Sequence, residues 1–171
     1  MRRIMIAGTN SGCGKTTVTC AVLQALVNRK INVSSFKCGP DYIDPMFHKT
    51  VIGTAAYNLD TYLMSNDAVN YLLNKNSGDI AVIEGVMGFY DGFSFTEKGS
   101  THELSEITDT DVILVVNCRG MSLSAMALVK GFKEFRKNNI KGVIFNNLSE
   151  KLYGNLAENS IKWRKNVEKS V

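Results

Sequence analysis

Residues 8–17 read Gly-Thr-Asn-Ser-Gly-Cys-Gly-Lys-Thr-Thr, a glycine-rich turn ending in a lysine and two hydroxyls. The turn follows a short apolar run, 3–8, and opens a segment with helical spacing, 15–30. That context is what a phosphate-binding loop requires. Glycines let backbone N–H groups converge on phosphate oxygens, and the helix N-terminus adds about half a positive charge. Lys15 then reaches the outer phosphates, and the Thr16 hydroxyl takes a place on Mg²⁺. Five residues separate Gly8 from Gly14, one more than in the common form of the loop.

Three further groups of residues carry chemistry. The apolar run 31–37 delivers Lys37 to its carboxyl end, where a lysine neutralises a transferring phosphoryl group. Asp41 and Asp44 follow on the next loop beside Pro40 and Pro45, and either surface turn chemistry or function accounts for them. Asn58-Leu59-Asp60 is the next group. Glu84 ends the apolar run 79–84, where a carboxylate suits Mg²⁺, an ion that takes a few hard oxygen ligands besides substrate phosphates. Asp91 lies in the loop beyond it and either binds substrate or holds that loop.

The elements that position these residues alternate. Apolar runs at 3–8, 31–37, 79–84, 111–117 and 142–146 read as five buried strands. Helical spacing places Val18, Ala21, Val22, Ala25 and Leu26 on one face of 15–30, and Ala125, Leu128, Val129, Phe132 and Phe135 on one face of 122–137. Continuously apolar strands alternating with helices predict an α/β fold, a mostly parallel sheet flanked by helices. The segments 38–61 and 85–100 read as long functional loops at the carboxyl edge of that sheet. Ser100-Thr-His-Glu103 reads as a capping box opening a short helix.

The chain has 171 residues, 20 basic and 16 acidic, and 44% hydrophobic residues, ordinary values that exclude disorder and coiled coil. No apolar run approaches the roughly 18 residues of a membrane span, and the N-terminal run is too short for a signal peptide, so a cytoplasmic protein is expected. Cys13, Cys20, Cys38 and Cys118 show no metal-ligand spacing and, with two histidines, argue against a zinc cluster. Residues 130–171 hold ten basic and four acidic side chains. The basic patch at Lys162, Arg164 and Lys165 reads as a solvated helix face with no nucleic-acid motif beside it, so neither nucleic acid nor membrane is the expected partner.

Taken together, GTNSGCGKTT, FKCGPDYIDPMFH (36–48), NLDTYLM (58–64), IEGVMGFYDG (83–92), VILVVNCRGMSLSA (112–125) and GVIFNNL (142–148) resemble one family in order. It is the N-terminal ATP-binding domain of the cobyrinate a,c-diamide synthases, in the dethiobiotin synthetase-like branch of P-loop proteins. Asn10 stands where the partitioning and septum-site ATPases of the superfamily carry an extra lysine. The resemblance implies ATP-dependent amidation of the a and c carboxylates of cobyrinic acid through acyl phosphates. It implies Asn10, Gly12, Cys13, Gly14, Lys15, Thr16, Thr17 and Asn146 at the nucleotide, with Asn146 at the adenine. It places Thr16, Asp60 and Glu84 around Mg²⁺, Lys37 between the γ-phosphate and the substrate carboxylate, and Asp41, Asp44 and Asp91 at the substrate.

The family is normally more than twice this long and carries a glutaminase, whose Gly-x-Cys-x-Gly elbow none of the four cysteines matches. The expectation is an ATP-binding domain over 1–150, an atypical basic helical tail over 151–171 and no glutaminase, with ammonia supplied from elsewhere. Leu152, Leu156, Trp163 and Val167 would form the apolar stripe of that tail. An open sheet edge would favour a homodimer. The alternatives are a non-catalytic nucleotide-binding remnant or partner subunit, and a dethiobiotin-synthetase-like carboxylate ligase.

Overall fold

Six strands lie parallel in the order β3-β2-β4-β1-β5-β6 in the computed structural model, which describes residues 2–148 and 152–154. They are β1 (Arg2–Gly8), β2 (Val33–Cys38), β3 (Ala55–Leu59), β4 (Ile80–Glu84), β5 (Asp111–Asn117) and β6 (Ile140–Asn146). The helices are α1 (Lys15–Asn28), α2 (Ile43–Phe47), α3 (Asn66–Asn76), α4 (Thr101–Ile107) and α5 (Ser124–Glu134). The expected α/β fold with a parallel sheet is the one observed.

Successive side chains of a strand point to opposite faces, and the two cores follow that alternation. Met5, Ala7, Phe36, Ala81, Ile83, Val112 and Leu114 pack with Val69 and Leu73 of α3, Leu104 of α4, and Ala125 and Val129 of α5. Ile6, Val33, Val82 and Val115 pack on the other face with Leu23 of α1. By the same alternation Lys37, Glu84 and Asn146 point to the α1 face.

Three local expectations are revised. The α1 stripe turned fully inward is Lys15, Thr19 and Leu23, while Ala21 and Ala25 are exposed. Two polar residues head that stripe because the helix is rotated to drive Lys15 into the site. Segment 38–61 is not one loop: it holds α2, a π-helical turn His48–Ile52 and β3, whose alternating Ala-Ala-Tyr-Asn-Leu reads weakly as an edge strand. Helix α5 is shorter than expected, leaving Phe135 64% exposed just past its end. The Ser100 hydroxyl caps the Glu103 N–H (3.0 Å), as a capping box predicts. The Glu103 carboxylate instead takes the Gly99 N–H (2.6 Å) and the Thr61 hydroxyl (2.6 Å). Most of the basic tail, with Lys162, Arg164, Lys165, Leu156, Trp163 and Val167, lies outside the described residues.

Leu23 is fully buried between α1 and the sheet. Leu23→Ala is expected to lower stability by about 2–5 kcal/mol with little change in m-value, measured by urea unfolding.

Candidate active site

The phosphate loop connects β1 to α1 and presents a bare helix end. Gly14 occupies the N-cap with φ 105°, no side chain caps the helix, and its first turn holds no acid. The first N–H groups therefore point outward without a protein acceptor of their own, which suits an anion. Gly14 is held to glycine twice over: its φ is left-handed, and an added Cβ would lie 2.2 Å from Asn146 Nδ2. Asn146 Nδ2 in turn donates to the Cys13 carbonyl (2.9 Å), tying the end of β6 to the loop. Cys13 is buried against Gly8, where an added Cβ would meet its sulfur at 2.3 Å. Asn10 is exposed at the loop crest, and its carbonyl accepts from Lys15 Nζ at 3.2 Å.

Lys15 also donates to the Met87 carbonyl at 2.5 Å, so the loop after β4 closes over the lysine. Burial lowers its pKa, partly offset by neighbouring negative groups. That second loop is fastened to the first by Phe89 N–H on the Gly8 carbonyl (2.8 Å). Asp91 is exposed, and its Oδ2 accepts the Gly88 N–H at 3.1 Å, which is turn-holding geometry.

Strand register assembles the charged centre. Lys37 pairs with Glu84 across the β2–β4 ladder and with Asn58 across β2–β3, so the three share one row and one face. Lys37 Nζ contacts Asp44 Oδ2 at 2.6 Å, Glu84 Oε1 at 2.9 Å and Asp41 Oδ2 at 3.7 Å. The Thr16 hydroxyl donates to the same Glu84 oxygen at 2.6 Å. Asn58 Nδ2 donates to the carbonyls of Gly39 (3.0 Å) and Asp41 (2.7 Å), holding the acidic loop over Lys37. Burial alone would pull the Lys37 pKa down, but Glu84 and Asp44 outweigh it and the net shift is upward. Glu84 is fully buried, and burial raises its pKa against the opposing pull of Lys37 and Thr16. Asp44 is desolvated too, yet its bond to Lys37 wins and lowers its pKa.

The cleft between these groups measures about 510 Å³ and is lined by residues 11, 12 and 14–17 of the phosphate loop and α1, by Lys37, Asp41 and Glu84, and by 85–87. Of the expected site residues, the structure brings Gly12, Gly14, Lys15, Thr16, Thr17, Lys37, Asp41 and Glu84 to this cleft, with Asp44 touching Lys37. Asp60, just past the end of β3, does not line it. Its Oδ1 caps the N–H groups of Tyr62 (2.8 Å) and Leu63 (3.1 Å). Sequence reasoning gave no role to Asn58 or to Ser35 and His48, buried residues that pair behind Glu84 at 2.7 Å. The available signal was a polar residue at every second position of β2, Ser35 then Lys37, marking one face as polar.

Lys37→Met leaves Glu84 buried without its cation. The expected loss is about 3–5 kcal/mol near neutral pH. A carboxyl whose folded pKa is raised binds more protons folded than unfolded, so stability falls as pH rises through that window. The deficit of Lys37→Met should therefore be small near pH 4.5 and grow toward pH 8, as urea unfolding at the two values will show.

Comparison with known proteins places this geometry. A cobyrinate a,c-diamide synthase of Thermoplasma volcanium is 46% identical over 167 residues, covering 96% of this chain and 37% of that protein. Those of Priestia megaterium and Methanocaldococcus jannaschii are each 44% identical, covering 94% and 85% of this chain and 36% and 33% of theirs. The chain spans about a third of the length of these relatives. Among solved structures it is similar to the cell division protein FtsY of Thermotoga maritima (TM-score 0.59, 18% identity, 84% of this chain and 52% of that one). It is also similar to the hydrogenase maturation factor HypB of Archaeoglobus fulgidus (TM-score 0.50, 14% identity, 85% and 80%). These share the P-loop fold. The family model described as the CobQ/CobB/MinD/ParA nucleotide binding domain matches residues 4–170, and the chain belongs to that family.

Proposed function

We propose that the chain binds ATP and Mg²⁺ and phosphorylates the a and c carboxylates of cobyrinic acid for amidation, as the synthetase part of a cobyrinate a,c-diamide synthase. The observation that carries this reading is Lys37, a buried cation beside the phosphate loop, ringed by Asp41, Asp44 and Glu84. The names of the relatives point the same way.

The residues fit both ligands. The uncapped start of α1 and the neighbouring cleft suit a triphosphate. Glu84 keeps one oxygen, Oε2, buried and without a hydrogen-bond partner. Among the described residues no three His, Cys, Asp or Glu side chains gather as a metal cage. Mg²⁺ does not need one, since it keeps waters and phosphate oxygens with one or two carboxylates. Thr16 and Glu84 would hold it, while Asp60 stays on the N–H groups of Tyr62 and Leu63. The bound ion would draw charge from the phosphate oxygens.

The chain's own residues do the rest. Lys15 exchanges the Met87 carbonyl for the terminal phosphates. Lys37 turns from Glu84 toward the transferring phosphoryl group and the incoming carboxylate, cancelling charge between two anions that would otherwise repel. The carboxylate oxygen attacks the γ-phosphorus and ADP leaves. Ammonia, released from glutamine by a glutaminase, then attacks the acyl carbon and phosphate departs. Asp41 and Asp44, freed of Lys37, take up the proton that ammonia gives up. Asn146 sits at the adenine end and Asp91 holds the loop over the site.

The test is direct: the chain with cobyrinic acid, ATP, Mg²⁺ and ammonium, read as ADP release and amide mass. Lys15→Ala and Glu84→Ala are each expected to slow turnover by about 10²–10³-fold. Nucleotide binding with no amide formed on cobyrinic acid overturns the assignment. It would favour a second reading, a nucleotide-binding unit without catalysis, to which one observation lends support: both lysines are already engaged by protein acceptors.

A further inference from the structure

His48 opens the π-helical turn behind the charged centre and is fully buried. Its Nδ1 lies 2.7 Å from the Ser35 hydroxyl. Its Nε2 lies 3.8 Å from Glu84 Oε2, and neither of those atoms has a hydrogen-bond partner. Two orphaned polar atoms of fully buried side chains face each other across less than the width of a water. Burial without a bond is costly for both.

The proton pattern follows. If Nδ1 carried the proton, the bare Nε2 lone pair would face a carboxylate oxygen. If the Ser35 hydroxyl donates to Nδ1, the proton sits on Nε2 and points at Oε2. Only the second arrangement aims a donor at the carboxylate oxygen. The distance exceeds the 2.7–3.2 Å range of a formed bond, because Thr16 and Lys37 both pull Glu84 by its other oxygen. When Thr16 and Lys37 turn to metal and phosphate, Glu84 loses both donors, and a shift of about 1 Å closes the bond to His48.

We infer that His48 is a positioning residue: held by Ser35 as the Nε2–H tautomer, it receives Glu84 Oε2 and fixes that carboxylate for the metal once Lys37 leaves. This rests on the reading above, in which Glu84 stands at the magnesium.

Two measurements on the full chain test it. Nitrogen-15 spectra of the histidines, without metal or nucleotide, should show the Nε2–H tautomer for His48. His48→Gln serves to assign the signal, since His102 is the only other histidine. Titration with Mn²⁺ in the presence of a non-hydrolysable ATP analogue should then show about 10–100-fold weaker metal binding for His48→Leu. His48→Gln keeps a donor at similar reach and should bind Mn²⁺ nearly as wild type. Nucleotide affinity without metal should be unchanged in both. Should His48→Leu fail to fold, Ser35→Ala, which frees the tautomer, is expected to weaken Mn²⁺ in its place. An Nδ1–H tautomer, or wild-type Mn²⁺ affinity in His48→Leu, overturns the inference. Failure of the wild type itself to bind Mn²⁺ with nucleotide would instead count against the magnesium reading, and the tautomer measurement would still decide the Ser35–His48 contact.

Discussion

A carboxylate with no solvent access has to be answered by donors from the protein, and Glu84 organises the molecule around that need. Its position at the end of a central strand is set by pairing with β1 and β2 on either side. One oxygen collects the first hydroxyl of α1 and the lysine of β2. Two elements are thereby fixed to one atom of a third. A buried ion pair of this kind is poor evidence for stability, since desolvation consumes most of the Coulomb gain. Its value is placement: the lysine is held charged, out of water, in the cleft that the phosphate loop lines.

The sheet divides the work between its faces. One face carries only apolar side chains over the strand centres and packs α3, α4 and α5. The α1 face begins equally apolar, with Val33 and Val82, and turns polar toward the carboxyl ends at Ser35, Lys37 and Glu84. Because strand side chains alternate with period two, that polar patch is obtained without disturbing the core behind it. The same period lets Asn58 fall in line with Lys37 and secure the acidic loop by two bonds. Loops do the binding while strands supply the register, as in other open α/β sheets.

Both lysines of the site are held by acceptors from the protein. Lys15 is spent on Met87 and Lys37 on carboxylates, so every cation that a triphosphate would recruit already has an acceptor. Each loop also has a tie that involves neither lysine: Phe89 N–H on the Gly8 carbonyl for the loop after β4, and the Asn58 amide for the acidic loop.

Much of this was written in the chain itself. The apolar strand runs, the glycine loop before Lys15, and the strand-end placing of Lys37 and Glu84 are all local patterns, and local patterns determine element type and loop chemistry. Strand β3 was hidden because an edge strand with one half-exposed face lacks a continuous apolar run. The inward stripe of α1 was misread because Lys15 and Thr19 look like surface residues until the site that receives them is known. Tertiary structure alone decided which carboxylates meet: Asp41, Asp44 and Glu84 converge on one nitrogen, while Asp60 turns to backbone amides and Asp91 to its own loop. It also decided that His48 stands behind Glu84. The contacts of Lys37 and His48 with Glu84 join segments tens of residues apart, fixed by strand order and register, and neither quantity has a signature in residue spacing.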